Sequence, residues 1–445
     1  MLRVAVVGSG PAGAYTAAAL TSHDEVAVDV LDRLPCPFGL VRYGVAPDHP
    51  KIQSISLTLA KILGDPAVRF LGNVEVGGDR LPLAELHRHY DAVVFAHGAA
   101  IDRRLRVPGE DLPGSHSATE FVAWYGGHPD SPRDAFTLDA ESVAVIGVGN
   151  VALDVTRMLA RSADDLRATD IPDHVLVALE HSRVRDIHLV GRRGPAQVKF
   201  TTKELRELGE VANADVLVDP SEAAVSEEVR AALPKPAQRN LDVLQGWAER
   251  VPEGRPRRVH LRFFLSPVEV LGGSQVSGLR LERTTVDEAG HATPTGRTCT
   301  VDAELVLRSV GYRGVAMPGL PFDEDTGVVP HEAGRVLRDG EPAPGEYVAG
   351  WIKRGPTGVI GTNKQDANET VGSLFEDAPC LPRAPVRDPE AVVALCEERG
   401  MPVVTWQGWR AIELAEAALG RTQGRERAKI AVREELLRAA ARTAG

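Results

Sequence analysis

The sequence predicts an α/β protein of two parallel-sheet domains, the second inserted into a discontinuous first. Two observations predict it. A β-branched run, Val4 to Val7, leads into Gly8-Ser9-Gly10-Pro11-Ala12-Gly13 and then a small-residue helix, Ala14 to Leu20. About 140 residues later the order recurs, with Val143 to Ile146 feeding Gly147-Val148-Gly149-Asn150-Val151-Ala152 and a helix from Leu153 to Ala160. Strand, glycine-rich turn and helix in succession open a Rossmann-like dinucleotide-binding domain, so the chain carries two. Its 445 residues leave room for both.

The elements follow in order. Val26 to Leu31 is the next apolar run and ends at Asp32. Pro35 to Pro50 is punctuated by Gly and Pro, too irregular for a helix and too long for an idle connection, so it reads as a ligand-touching loop. Val68 to Val76 and Ala92 to Ala96 are further strands. Pro108 to Leu138 is rich in Gly, Pro, Ser and Asp and marks the first domain boundary; with Leu305 to Val310 read as leading back toward the first domain, residues 1–107 and 323–445 are expected to form one domain and 108–322 the inserted one. In the insert, Ile187 to Val190 is a strand and Thr202 to Leu208 a helix. Val259 to Leu265 and Leu279 to Arg283 alternate like antiparallel strands, with a hairpin turn at Gly272-Gly273. Leu305 to Val310 leads back, Gly345 to Gly350 is a strand, and Trp351 to Thr362 is another glycine-rich turn. Amphipathic helical patterns close the chain around Glu390 to Glu398 and Glu426 to Ala440.

Composition excludes several classes. With 51 Lys plus Arg against 62 Asp plus Glu the net charge is −11, which argues against non-specific binding to nucleic acid or anionic lipid. Cys36, Cys299, Cys380 and Cys396 form no C-x-x-C pair, so a redox dithiol, an iron–sulfur cluster and a structural zinc all lack ligands. Redox chemistry then requires a bound organic cofactor and no metal. No apolar run reaches a membrane span, and Leu2 to Val7 already reads as a strand, leaving no room for a targeting peptide. A soluble, reducing, cytoplasmic setting is expected.

The two turns differ at their ribose ends. Asp32 stands 19 residues after Gly13, where a carboxylate accepts hydrogen bonds from ribose hydroxyls. The strand Ile187 to Val190 instead ends at Arg192-Arg193, whose guanidinium forks suit a 2′-phosphate, so the second dinucleotide is NADP. The gap from Gly149 to Arg192 exceeds the usual spacing, which an insertion across about Ser162 to Arg185 explains. Flavin reductases share this pairing of an acidic FAD site with an NADPH site.

Four long segments add a resemblance. Pro37-Phe-Gly-Leu-Val-Arg-Tyr-Gly-Val-Ala-Pro-Asp-His-Pro50, Gly147-x-Gly-Asn-Val-Ala-Leu-Asp154, Gly191-Arg-Arg-Gly-Pro-x-Gln-x-x-Phe200 with Lys203-Glu204-Leu205-Arg206-Glu207, and Gly350-Trp-Ile-Lys-Arg-Gly-Pro-Thr-Gly-Val-Ile360 resemble ferredoxin-NADP reductases of the adrenodoxin reductase type. The resemblance runs from Leu2 to about Ala378, and the Trp406/Trp409 tail fits longer bacterial members. It implies that Gly8, Gly10, Pro11, Ala12 and Gly13 wrap the FAD pyrophosphate, that Asp32 takes the ribose, and that Leu40, Val76 and Arg103 are further FAD contacts. Trp351, Gly358, Val359 and Ile360 would lie along the isoalloxazine and ribityl chain. Val148, Gly149, Asn150 and Val151 would hold the NADP pyrophosphate, Arg192 and Arg193 the 2′-phosphate, and Glu204 a hydroxyl of the bound NADP. His49 and Glu207 match a pair placed near the flavin for proton handling. The implied activity passes electrons from NADPH through FAD to a ferredoxin, a small acidic iron–sulfur protein, docking at Lys235 and Arg239. His97 and Lys199 depart from the family pattern. An FAD- and NADPH-dependent monooxygenase and a non-catalytic nucleotide-binding subunit of a redox complex are the alternatives.

Overall fold

The computed structural model describes residues 1–287 and 289–443. Two compact units are present: Met1–Ile101 with Gly126–Asp130 and Tyr312–Gly445, and Asp102–Tyr125 with Ser131–Gly311. The chain thus divides after Ile101 and Gly311, where the sequence suggests 107 and 322.

In the first unit a seven-stranded sheet runs in the order His331–Glu332, Arg335–Arg338, Glu341–Val348, Ala92–Phe95, Leu2–Val7, Val26–Asp32, Val68–Gly72. Leu2–Val7 is buried at every position and pairs in parallel on both sides, Val6 facing Val30 and Val94. Such a strand must be apolar on both faces, which is why it reads as an unbroken hydrophobic run. The period of two assigns its side chains. Val4 and Val6 join a cluster with Ala14, Ala17 and Leu20 of the helix Pro11–Thr21 and with Val371 and Leu374 of the helix Thr362–Asp377. Ala5 and Val7 join the opposite cluster with Leu86, Val93 and Val348.

The second unit holds a parallel sheet of six strands ordered Ser115–Ser117, Leu305–Arg308, Ser142–Ile146, Asp186–Val190, Arg257–Arg262, Ala214–Val218. A three-stranded antiparallel sheet, Leu265–Gly272, Val276–Val286 and Ala292–Asp302, packs Val270, Leu279 and Leu281 against Ile146 and Val190. Two short helices, Ala163–Leu166 and Asp173–Glu180, occupy the long gap before Arg192. A Ser162–Asp165 capping box starts the first of them.

Several local expectations change: Trp351–Arg354 is a helical turn where a glycine-rich loop is expected, and the last helical pattern begins at Arg433, not Glu426. Within Pro35 to Pro50, Leu40–Tyr43 forms one helical turn. The run Val259 to Leu265 breaks between Arg262 and Leu265, because Phe264 has φ 56° and turns the chain out of the six-stranded sheet. The tail contains a 17-residue helix, Trp406–Thr422, whose Trp409 and Ile412 belong to the core of the first unit. Its start is fixed by the Thr405 side chain, which accepts from the Gly408 N–H at 3.2 Å.

Candidate functional site

The first turn is shaped by contacts that admit no side chain. Gly8 has φ 111°, and a Cβ there would lie 2.5 Å from the Ala96 carbonyl oxygen. A Cβ on Gly13 would stand 1.8 Å from the Gly8 oxygen, so helix and strand meet backbone to backbone. Gly10 differs: a Cβ there would meet only the Gly39 Cα, at 3.9 Å. The helix Pro11–Thr21 begins at Gly10 with no side-chain cap and no acid in its first turn. Its free N–H groups and positive dipole end therefore face an open cradle that suits a phosphate.

Asp32 ends the next strand over. Its Oδ2 accepts from the Ser9 N–H at 2.8 Å and the Ser9 hydroxyl at 2.5 Å, and its Oδ1 from the Leu34 N–H at 2.9 Å. A carboxylate has about four acceptor positions, so one is left for a ligand hydroxyl. Val76 is buried beside this strand end, where the Val74 N–H donates to the Asp32 carbonyl at 2.8 Å. The loop returns over the turn at Phe38 and Gly39, both left-handed (φ 84° and 51°), and the Phe38 N–H donates to the Ser9 carbonyl at 3.2 Å. Leu40 follows immediately, half-buried.

The segment around Trp351 reaches the same turn. A Cβ on Gly350 would lie 2.4 Å from the Ala12 Cβ, and the Gly350 N–H donates to Asp366. The Trp351 ring stands 5.4 Å from that of Tyr312. Gly358, with φ 82°, opens the turn Gly358-Val359-Ile360, in which the Val359 N–H donates to Thr362 Oγ1 at 3.2 Å and Val359 is 75% exposed. Here begins the helix Thr362–Asp377, again without a side-chain cap or an acid in its first turn. One unit thus brings Gly8, Gly10, Pro11, Ala12, Gly13, Asp32, Leu40 and Trp351 together. His49, also in this unit, is buried at the start of the turn Pro50–Gln53. His97 follows the strand Ala92–Phe95 with its Cα against Gly8; burial pushes its pKa down to about 4 and leaves it neutral at pH 7.

The second turn repeats the construction. Gly147 has φ 136° and a Cβ there would lie 2.1 Å from the Ser309 oxygen, whereas a Cβ on Gly149 would meet nothing within 4 Å. The helix Asn150–Ala160 starts uncapped at Gly149 with no acid in its first turn. Asn150 Oδ1 accepts from the Thr201 N–H at 2.8 Å, and the Lys199 N–H donates to the Val148 carbonyl at 3.0 Å, so the turn is tied to the segment before Glu204. Val148 also covers Gly191, next to Arg192. The antiparallel sheet pins the arginine pair from behind: Thr284 Oγ1 donates to the Arg192 carbonyl at 2.7 Å and the Phe264 N–H to that of Arg193 at 3.3 Å. Among the described residues no carboxylate forms an ion pair with Arg192 or Arg193.

Glu204 and Glu207 lie on the helix Thr202–Gly209; Glu204 is buried and Arg157 Nη1 donates to it at 3.5 Å, while Glu207 pairs with Lys203 at 3.3 Å. Arg103 belongs to this second unit, its N–H donating to the Gly311 carbonyl at 2.9 Å. Lys235 and Arg239 are exposed one turn apart on the helix Lys235–Ala248. The sequence alone misses Ser9 as the group that orients Asp32 and Gly39 as the neighbour of Gly10. Ser9 sits inside the glycine turn and could have been found there; the Gly39 contact has no local signal.

Comparisons with known proteins agree with this construction. The family model for pyridine nucleotide-disulphide oxidoreductases matches residues 2–193. The chain is 46% identical over 453 residues to NADPH-ferredoxin reductase FprA of Mycobacterium tuberculosis, covering 98% of both chains. It is 41% identical to human mitochondrial NADPH:adrenodoxin oxidoreductase, covering 98% of this chain and 91% of that one. The solved structure of M. tuberculosis FprA in complex with NADPH superposes with a TM-score of 0.92 at 44% identity, over 99% of each chain.

Proposed function

The chain belongs to the family of NADPH-dependent ferredoxin and adrenodoxin reductases, and on that premise we propose that it is a flavoprotein oxidoreductase carrying electrons from NADPH through FAD to a ferredoxin-type iron–sulfur protein. One observation carries the assignment of the two nucleotides: two equivalent phosphate turns in one chain, one followed by an oriented carboxylate and the other by two arginines that have no carboxylate partner among the described residues. The residues present fit both groups, since the cradles at Gly10 and Gly149 are open and both helix starts are free.

In this reading Gly8, Gly10, Pro11, Ala12 and Gly13 bind the FAD pyrophosphate and Asp32, held by Ser9, orients the adenosine ribose. Leu40, Val76, Arg103, Trp351, Gly358, Val359 and Ile360 complete the cofactor's surroundings. Val148, Gly149, Asn150 and Val151 hold the NADP pyrophosphate, and Glu204 a hydroxyl of the coenzyme. Arg192 and Arg193 select the phosphorylated coenzyme, because a bidentate guanidinium gains only when the 2′-phosphate is there. Bound FAD supplies the chemistry that accepts a two-electron hydride and releases electrons singly. His49 and Glu207 hold and move the accompanying proton. Lys235 and Arg239 present positive charge to an acidic protein partner on an otherwise acidic chain. The proposed site of action is the cytoplasm; no helix of the described residues is long and apolar enough to cross a membrane.

The test of this reading is coenzyme choice. Arg192→Ala with Arg193→Ala should raise the KM for NADPH by about 100-fold, two charge-assisted contacts at about 1.5 kcal/mol each, and leave that for NADH nearly unchanged. An unaltered preference for NADPH would remove the 2′-phosphate assignment.

A further inference from the structure

The tail helix Trp406–Thr422 reaches the loop on the first phosphate turn through one buried carboxylate. Glu416 is fully buried and accepts from Arg42, Nη2 to Oε1 at 2.5 Å and Nη1 to Oε2 at 3.3 Å, although 374 positions separate the two residues. It also accepts from Arg427 Nε at 2.8 Å and from the Ile430 N–H at 3.0 Å. Lys429 Nζ donates to the Arg42 carbonyl at 2.9 Å. The Arg42 guanidinium stands over the rings of Tyr43 and Trp409, 5.1 Å from each centroid. Trp409 in turn meets the Phe38 ring edge-on at 5.6 Å. Burial pushes the Glu416 carboxyl up, but Arg42 and Arg427 outweigh it and hold its pKa at about 2.

The far side of this loop is the phosphate turn. Gly39 lies on Gly10, where a Cβ on Gly39 would come within 3.2 Å of the Gly10 Cα, and Phe38 is bonded to Ser9. Phe38 is left-handed without being glycine, a costly conformation that persists only when its surroundings dictate it. A buried ion pair is weak evidence for stability, because apolar side chains of similar volume often stabilise as well. What directional bonds add is position. Arg42 follows Gly39 by three residues, so fixing its guanidinium and its carbonyl fixes the turn that covers Gly10.

We propose that the helix Trp406–Thr422 is a working part of the FAD site, with Glu416 as a positioning residue that holds the loop 38–44 in register over the pyrophosphate turn. The proposal rests on reading Gly8–Gly13 as the FAD turn. Coupling of this kind is reciprocal: if the tail orders the loop for FAD, then FAD must order the tail.

Hydrogen exchange on the wild-type protein, stripped of FAD and then titrated with it, tests this without any substitution. FAD should slow exchange in 38–44 and, with the same midpoint, in 409–430. Protection confined to 38–44 overturns the proposal; no FAD binding at all overturns instead the reading beneath it. The double variant Arg42→Met with Glu416→Leu removes the side-chain bonds between Arg42 and Glu416 while keeping the interior filled, and leaves the Lys429 bond to the main-chain carbonyl of position 42. Its Kd for FAD should rise about tenfold or more, with the NADP+ Kd unchanged and the apoprotein melting within a few degrees of wild type. A wild-type Kd for FAD contradicts the proposal, and should the variant not fold, the exchange experiment decides.

Discussion

Ser9 is joined to Asp32 twice, its N–H and its hydroxyl both donating to Oδ2, at 2.8 and 2.5 Å. A residue of the phosphate turn thereby sets the orientation of the carboxylate at the end of the neighbouring strand, so the two ends of an adenosine diphosphate would be gripped by one hydrogen-bonded unit. Asp32→Asn should weaken FAD binding by about 10- to 100-fold, the range of a charge-assisted hydrogen bond. Ser9→Ala should weaken it less, because the N–H donor survives. Flavin fluorescence during reconstitution of the apoprotein measures both, and equal affinities in wild type and Asp32→Asn would remove Asp32 from the site.

The glycines of one turn should separate by function. Gly13→Ala places a Cβ 1.8 Å from a backbone oxygen and should prevent the first unit from folding. Gly10→Ala meets no protein atom closer than 3.9 Å, so the apoprotein should melt normally while FAD is no longer retained. Gly149→Ala, with open space around it, should behave likewise toward NADP+. The comparison needs only a melting curve and a visible spectrum, and a Gly10→Ala protein that stays yellow would contradict the open-cradle argument.

Ferredoxin reduction should slow as ionic strength rises, because exposed charges are screened within about 10 Å at 0.1 M salt. Lys235→Glu with Arg239→Glu should raise the KM for ferredoxin several-fold and leave NADPH-dependent reduction of a small neutral acceptor unchanged. Stopped-flow rates across a salt series check this. A rate indifferent to both salt and charge reversal would place docking elsewhere.

Acid should destabilise the first unit in a defined window. Burial pushes His97 and His128 down to about 4, so between the ordinary histidine value of about 6.5 and that value the unfolded chain binds more protons than the folded one. Stability then rises with pH from about 4 to 6.5, by at most about 1.4 kcal/mol per pH unit for each group. Glu416 acts lower. Held at about 2 when folded, it contributes stability that is complete above its unfolded value near 4.5 and is lost as pH falls toward 2. Melting followed from pH 7 to pH 4 should show the first slope reduced in His97→Phe; an unchanged slope would contradict a buried neutral His97.

Much of this was legible because it is local. The two turns and Asp32 lie within short stretches whose spacing follows from strand and helix geometry, Arg192 and Arg193 directly follow a short strand, and Leu2–Val7 and Val143 to Ile146 are short buried runs between turn residues. What joins distant positions was not legible. Nothing near Gly350 announces that its Cα must pass against Ala12, and nothing near Glu416 announces Arg42. Phe264 broke the expected strand Val259 to Leu265 because apolar periodicity carries no sign of a left-handed residue. The helix Trp406–Thr422 was obscured by Gly408 and Gly420, poor helix formers, and it is held by burial of Trp409 and Ile412 in the core, which no propensity records.

One chain should both retain a flavin and draw electrons from a phosphorylated pyridine nucleotide. Anaerobic addition of NADPH to the purified, FAD-loaded protein, followed by oxidised ferredoxin, tests it most directly. The expected outcome is a yellow protein that bleaches on NADPH far faster than on equimolar NADH and recovers its colour as ferredoxin is reduced. A protein that takes up no FAD on reconstitution, or whose absorbance is untouched by NADPH, would contradict it.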